Sequence, residues 1–234
     1  MVATRIFKSP PLVASRTVTV AYRIRNRLGQ RFENDVADFF EKQASRLVAL
    51  IPRKDIGSDV FDTETEQAAL ETLLNTWYTR ILQMAHPELN NILGVDFELD
   101  DAITRQFLRE CGENITKINQ RTLDVIRSEL VEGQSQGESW SSLAKRIRES
   151  VAFNRARAIT VARTEMGLST NRAARLNYKT SGVVEGVLVF DSENDPACKE
   201  WAGRKIPISE VDTVPLLGHP RCIRAFGALV DMEG

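Results

Sequence analysis

A change of period divides this 234-residue chain. Between residues 32 and 150 apolar side chains recur three and four apart; after Gly182 they come in short β-branched runs. The first spacing lays one apolar stripe along a helix, and the second suits strands, whose side chains alternate between faces. In "RFENDVADFFEKQASRLVALIP", Phe32, Val36, Phe39, Phe40, Leu47 and Leu50 fit the helical period, and Pro52 stops it. "DTETEQAALETLLNTWYTRILQMAHPELNNILG" offers Asp62 or Thr63 as a cap and a stripe of Leu70, Leu73, Leu74, Trp77, Ile81 and Met84. Pro87 predicts a kink or a break there, with His86 before it as a surface or capping histidine.

The same texture continues through Ile103, Phe107, Ile115, Ile118, Leu123, Ile126 and Leu130, punctuated by Gly112 and Gly133. Cys111 has no Cys or His nearby in sequence and is assigned to packing. After the connector "GQSQGES", "WSSLAKRIRESV" reads as a helix with Trp140, Leu143 and Ile147 inward. "NRARAITVARTEMGLSTNRAARLNYKTSG" is a long helix whose alanines 156, 158, 162, 173 and 174 permit close approach of a neighbour, ended by Gly182. "VVEGVLVFDS", "RKIPI" and "CIRAFGALVD" are the strand candidates. The expected fold is α+β: a mostly helical N-terminal region, then a small α+β C-terminal domain with a long helix packed on a short sheet.

Charge adds a further boundary. Arg5, Lys8, Arg16, Arg23, Arg25, Arg27 and Arg31 occur before any Asp or Glu, on a chain whose net charge is −1. The expected organisation is therefore a basic arm (1–31), a helical region (32–150) and the α+β domain (151–234). The arm reads either as a solvated, partly ordered tail or as a sequence-independent nucleic-acid contact through those seven residues. A composition of 42% hydrophobic and 27% charged residues argues against wholesale disorder. No apolar run approaches the roughly 18 residues of a membrane span, and the N-terminus has no continuous apolar core for a secretory signal. The chain is expected to be soluble and intracellular, without a membrane partner. Cys111, Cys198 and Cys222 are too few and scattered for a disulfide framework and read as thiols or metal ligands.

"LLGHPRCIRAF" places His219 three residues before Cys222, with Pro220 between them. Such a segment is part of a metal site, a catalytic pair or a rigid hydrogen-bonded turn. The chain has two histidines, no phosphate-binding glycine loop and no dense carboxylate cluster, so its chemistry is expected to be recognition rather than turnover.

Five elements now stand in order over residues 153 to 226: Ala-Arg-Thr-Glu at Ala162 to Glu165, Asn171 among alanines, Tyr178 before a Gly-Val, Asp-x-x-Cys at Asp195 to Cys198, and His-Pro-x-Cys at His219 to Cys222. This stretch, about a third of the chain, resembles the C-terminal domain of the phage Mu F-like head-morphogenesis proteins, also called minor head or minor capsid proteins. The chain departs from that pattern twice. "CKEW" stands where the family shows Cys-x-x-Cys, and "HPRCIR" where it shows His-Pro-x-Cys-Arg-Cys, so Trp201 and Arg224 replace second cysteines.

The resemblance implies a protein of the phage head, made in the host cytoplasm and retained in the virion. Its partners would be the portal protein, a major capsid or scaffold protein, and packaged DNA through the arm. Arg163, Thr164, Glu165, Asn171 and Asp195 would be structural residues: on a helix Thr164 and Asn171 share a stripe while Arg163 and Glu165 diverge, which suits separate contacts. No cofactor and no catalytic residue is expected. The alternative for the cysteines is a structural zinc on Cys198, His219 and Cys222, with Asp195 needed as a fourth ligand. The alternative functions are a phage-encoded enzyme of nuclease or transferase type, or a non-specific DNA-binding protein.

Overall fold

The computed structural model describes residues 12–51 and 62–232, so Arg5 and Lys8 of the expected arm lie outside the described residues. Leu12–Leu50 forms a single helix, α1. Its buried stripe starts at Ala14 and runs through Val18, Ala21, Ile24, Leu28, Phe32 and Val36, three or four apart. Helix α1 therefore runs through the expected boundary at residue 32. The small and β-branched residues of "VASRTVTVAYRI" hide the helical period, and burial against neighbours outweighs their weaker helix propensity.

Helix α2, Thr63–Leu93, begins where Asp62 accepts hydrogen bonds from Thr65 N (3.0 Å) and Thr65 Oγ1 (2.7 Å). It continues through Pro87, against the expectation of a break there. Ile81, Leu82 and Ala85 before the proline and Leu89 after it are all buried, and their packing offsets the lost backbone hydrogen bond. His86 is neither a surface nor a capping residue: it is half-buried, 2.7 Å from Asn177 Oδ1 and edge-on to Phe97. Helices α3 (Asp101–Gly112), α4 (Ile115–Ser135), α5 (Trp140–Glu149) and α6 (Arg155–Ser181) follow. Gly182, at φ +69°, ends α6.

The chain divides into two units, and α1, α2 and α6 each contribute to both. One comprises residues 28–80 and 104–166, and its elements among the described residues are all helices. Phe32, Phe40, Tyr78 and Phe107 are fully buried in it, and Phe32 stacks on Trp77 at 5.0 Å. Leu143 and Ile147 of α5 point inward as expected, but Trp140 is 48% exposed. Trp140 is the first residue of α5, behind the Ser139 cap, where an inward ring is not enforced by a preceding turn.

The other unit comprises residues 1–27, 81–103 and 167–234. It contains β1 (Gly186–Phe190), the short helix α7 (Pro196–Lys199), β2 (Lys205–Pro207), a 3-10 helix (Ile208–Thr213) and β3 (Ala225–Leu229). The sheet is antiparallel in the order β2-β1-β3, with Val187 opposite both Ile206 and Ala228. Its core lies between this sheet and the helices. Tyr178 of α6 donates to Phe226 O (2.8 Å), and the Arg175 guanidinium sits 4.5 Å over the Phe226 ring. From α1, Thr17 Oγ1 accepts from Ala228 N (2.9 Å), and Val18 and Ala21 pack on Ala225. A Cβ on Gly227 would meet Ala14 O at 2.7 Å, so glycine there lets α1 lie directly on the sheet. Part of the expected arm is thus core. Residues 151–234 do not form a unit by themselves.

Candidate metal centre

Two segments converge beyond the sheet. After β1 the chain passes Asp191 and reaches Asp195, whose side chain accepts from Ala197 N (2.9 Å) and Cys198 N (3.4 Å). This cap starts α7 and fixes Cys198 on it, with Pro196 at the first turn. Asp195 is consumed as a cap and is not among the clustered ligands.

The second segment carries a turn from His219 to Cys222, closed by Cys222 N donating to His219 O (3.1 Å). Pro220 sets the first central position, and Arg221 occupies the second at φ +65°. Those angles are the signature of a type II turn, here with arginine where glycine is favoured. Gly218 precedes it; a Cβ there would stand 3.0 Å from Cys198 Sγ and 3.3 Å from Arg224 Nη2, so its bareness allows the turn to close over Cys198.

Cys198, His219 and Cys222 are brought together: one ligand atom from each lies within 4.8 Å of the others. The two sulfurs are 3.5 Å apart, and both cysteines are buried free thiols, whereas His219 is exposed. Burial, then hydrogen bonding with Asp191 and Cys222, pushes the Cys198 thiol up to about 12.

Behind the cysteines lies a completely buried ion pair that the sequence reading did not anticipate. Arg224 Nε donates to Asp191 Oδ2 at 2.6 Å, and both side chains are fully buried. Arg224 also donates to Pro215 O (2.7 Å) and Ala197 O (3.2 Å), so one guanidinium ties β1's exit, α7 and the strand entry together. Asp191 Oδ1 accepts from Ser192 N (2.8 Å) and from Cys222 Sγ (3.5 Å). The arginine standing where the resembling family shows a cysteine is therefore a structural crosslink.

Asn171 and Arg25 hold the same strand entry from the helical side. Asn171 Nδ2 donates to Leu216 O (2.7 Å) and Arg224 O (2.9 Å). Arg25 donates to Ile223 O (2.9 Å), Arg224 O (2.8 Å), Asn171 Oδ1 (3.1 Å) and Thr170 Oγ1 (3.1 Å). Burial lowers the Arg25 pKa from its ordinary value, and the nearby Tyr22, Cys222 and Asp191 oppose that shift. Arg25 was expected to contact nucleic acid; its guanidinium is instead spent inside the protein, because its helical position faces the strand entry. Arg16, Arg27 and Arg31 are exposed, and Arg23 pairs with Glu88 at 2.6 Å.

The remaining motif residues do not join this cluster. In the helical unit Arg163 Nε donates to Glu33 (2.7 Å), Thr164 Oγ1 to its own helix at Thr160 O (2.7 Å), and Tyr78 OH to the buried Glu165 (2.7 Å). These are three separate contacts. Chemically, the Cys198–His219–Cys222 group can bind a soft cation or cross-link its thiols. Compared with family models, curated proteins and solved structures, the chain finds no match.

Proposed function

We propose that the chain is a minor head protein of a tailed bacteriophage or prophage, acting by recognition of portal and capsid or scaffold proteins during head assembly. The reading rests on the five ordered motif elements. The observation that carries it is their use: Asn171, Asp195 and the His219–Cys222 turn clasp one end of the sheet, while Arg163 and Glu165 brace helices. That is the economy of a scaffold. The helical unit adds exposed apolar side chains suited to partner contact, Val131, Trp140 and Val151, at 66%, 48% and 60% exposure.

The test is co-expression of the full chain with the portal protein encoded beside it, with purification on the portal. Co-purification that Trp140→Asp and Val151→Asp weaken supports the reading. Failure to co-purify, together with normal heads in a phage lacking the chain, would refute it.

The exposed Arg16, Arg27 and Arg31, with Arg23, favour a second role as a non-specific DNA contact on α1. Each phosphate engaged adds about −0.9 to the slope of log affinity against log salt, so four arginines give about −3 to −4. A slope unchanged by replacing all four with Gln removes this role.

A further inference from the structure

We propose that Cys198, Cys222 and His219 bind one zinc-type divalent cation, with a fourth coordination position open to solvent on the His219 side. Two thiolates and an imidazole are the ligand set that selects zinc over hard cations such as magnesium or calcium. The spacing fits. Tetrahedral zinc at about 2.3 Å from each sulfur holds the sulfurs roughly 3.7 Å apart, whereas a disulfide brings them to about 2.05 Å. The observed 3.5 Å is close to that ligand spacing, and a His219 ring nitrogen lies within 4.8 Å of both sulfurs.

The surroundings match a metal's outer shell. His219 Nδ1 lies 2.8 Å from Pro220 O, and a carbonyl only accepts, so Nδ1 is the donor there and Nε2 is the nitrogen left for a cation. Anchoring the far ring nitrogen on a backbone carbonyl is how a ligating histidine is oriented. Arg224 N points a backbone donor at Cys222 Sγ (3.4 Å). Binding releases two thiol protons and leaves a neutral centre of one divalent cation, two thiolates and one imidazole. Asp191 is outside the clustered group: its Oδ1 lies 3.5 Å from Cys222 Sγ, but Oδ2 takes Arg224 and Oδ1 also takes Ser192 N. With the thiols buried and His219 exposed, the fourth position belongs on the His219 side.

Cobalt(II) tests this on the full-length reduced chain, because it enters tetrahedral thiolate sites and is coloured there. One equivalent should bind with thiolate-to-cobalt charge-transfer absorption and tetrahedral d–d bands, and zinc should displace it. Added imidazole should shift the d–d bands by entering the open position. His219→Ala, a surface change that spares the core, should weaken cobalt binding at least about tenfold with an unchanged far-UV circular dichroism spectrum. The Cys198→Ser, Cys222→Ser variant should lose the charge-transfer band. No stoichiometric binding, binding without charge transfer, or binding indifferent to His219→Ala would overturn the metal site. Bands insensitive to imidazole would overturn the open position.

Discussion

Arg25 Nη2 donates to Asn171 Oδ1 at 3.1 Å, across 146 residues of sequence, and both side chains converge on the carbonyl of Arg224. The first described helix is thereby tied to the turn that carries Cys222. A residue with the composition of a solvated basic arm is a positioning residue for the candidate centre.

Arg25→Ala should destabilise the chain by about 2 to 3 kcal/mol, because the partly buried Arg224 O, Asn171 Oδ1 and Thr170 Oγ1 lose a charged donor. Lys in its place should recover little, since a point charge cannot fork to Thr170, Asn171 and two carbonyls. Thermal denaturation measures this; a change within about 0.5 kcal/mol, as for an exposed charge, would show that the guanidinium is not needed.

Much of the fold was legible and parts of the site were not, for identifiable reasons. The α+β architecture follows from the change of period: the three strands fall in the three apolar runs, and Gly182 ends α6 as read. The zinc alternative requires Cys198, His219 and Cys222 to converge, and the structure brings them together. Arg25 and Asp191 escaped because each acts over a long sequence distance, and neither has a local signature. A buried arginine such as Arg224 looks the same in sequence as a solvated one. Pro87 does not break α2 because its penalty is local while the packing that outweighs it is tertiary.

The Asp191–Arg224 pair predicts asymmetry between breaking it and replacing it. Asp191→Asn leaves a guanidinium buried with its charge uncompensated, and should cost about 3 to 5 kcal/mol. Asp191→Asn with Arg224→Met should cost less than the sum of the single changes, although Pro215 O and Ala197 O lose their donor. A chemical-denaturation double-mutant cycle reads the coupling; strict additivity would mean the two side chains do not interact energetically.

Tyr178 gives a pH dependence of known sign. Burial raises its phenol pKa above the ordinary value of about 10, so the folded state holds the proton that the unfolded chain releases. Stability from this group is complete below pH of about 10 and falls as pH rises beyond it. Tyr178→Phe should be less stable than wild type at neutral pH by about 1 to 2 kcal/mol, through the lost bond to Phe226 O. The gap should narrow between pH of about 10 and 12, where only the wild type opposes ionisation. Denaturant titrations of both proteins across that range measure the difference directly, and a constant gap would rule out the shift.

Arg221 tests whether the His219–Cys222 turn is held by its own conformation or imposed by its surroundings. At φ +65° a side chain with a Cβ is strained by about 1 kcal/mol, and a β-branched one by more. Arg221→Gly removes that strain but gives the unfolded chain more freedom, so the net change should be small, from neutral to about 1 kcal/mol stabilising. Arg221→Val should lower stability by at least about 1 kcal/mol, because a branched Cβ resists the left-handed region. If cobalt binds through the turn, the two variants should also separate in metal affinity, with Gly retaining the wild-type spectrum and Val weakening it. Equal stability and equal affinity for Gly and Val would mean that residue 221 does not keep the left-handed angle in solution, and that the turn reaches Cys198 by another backbone path.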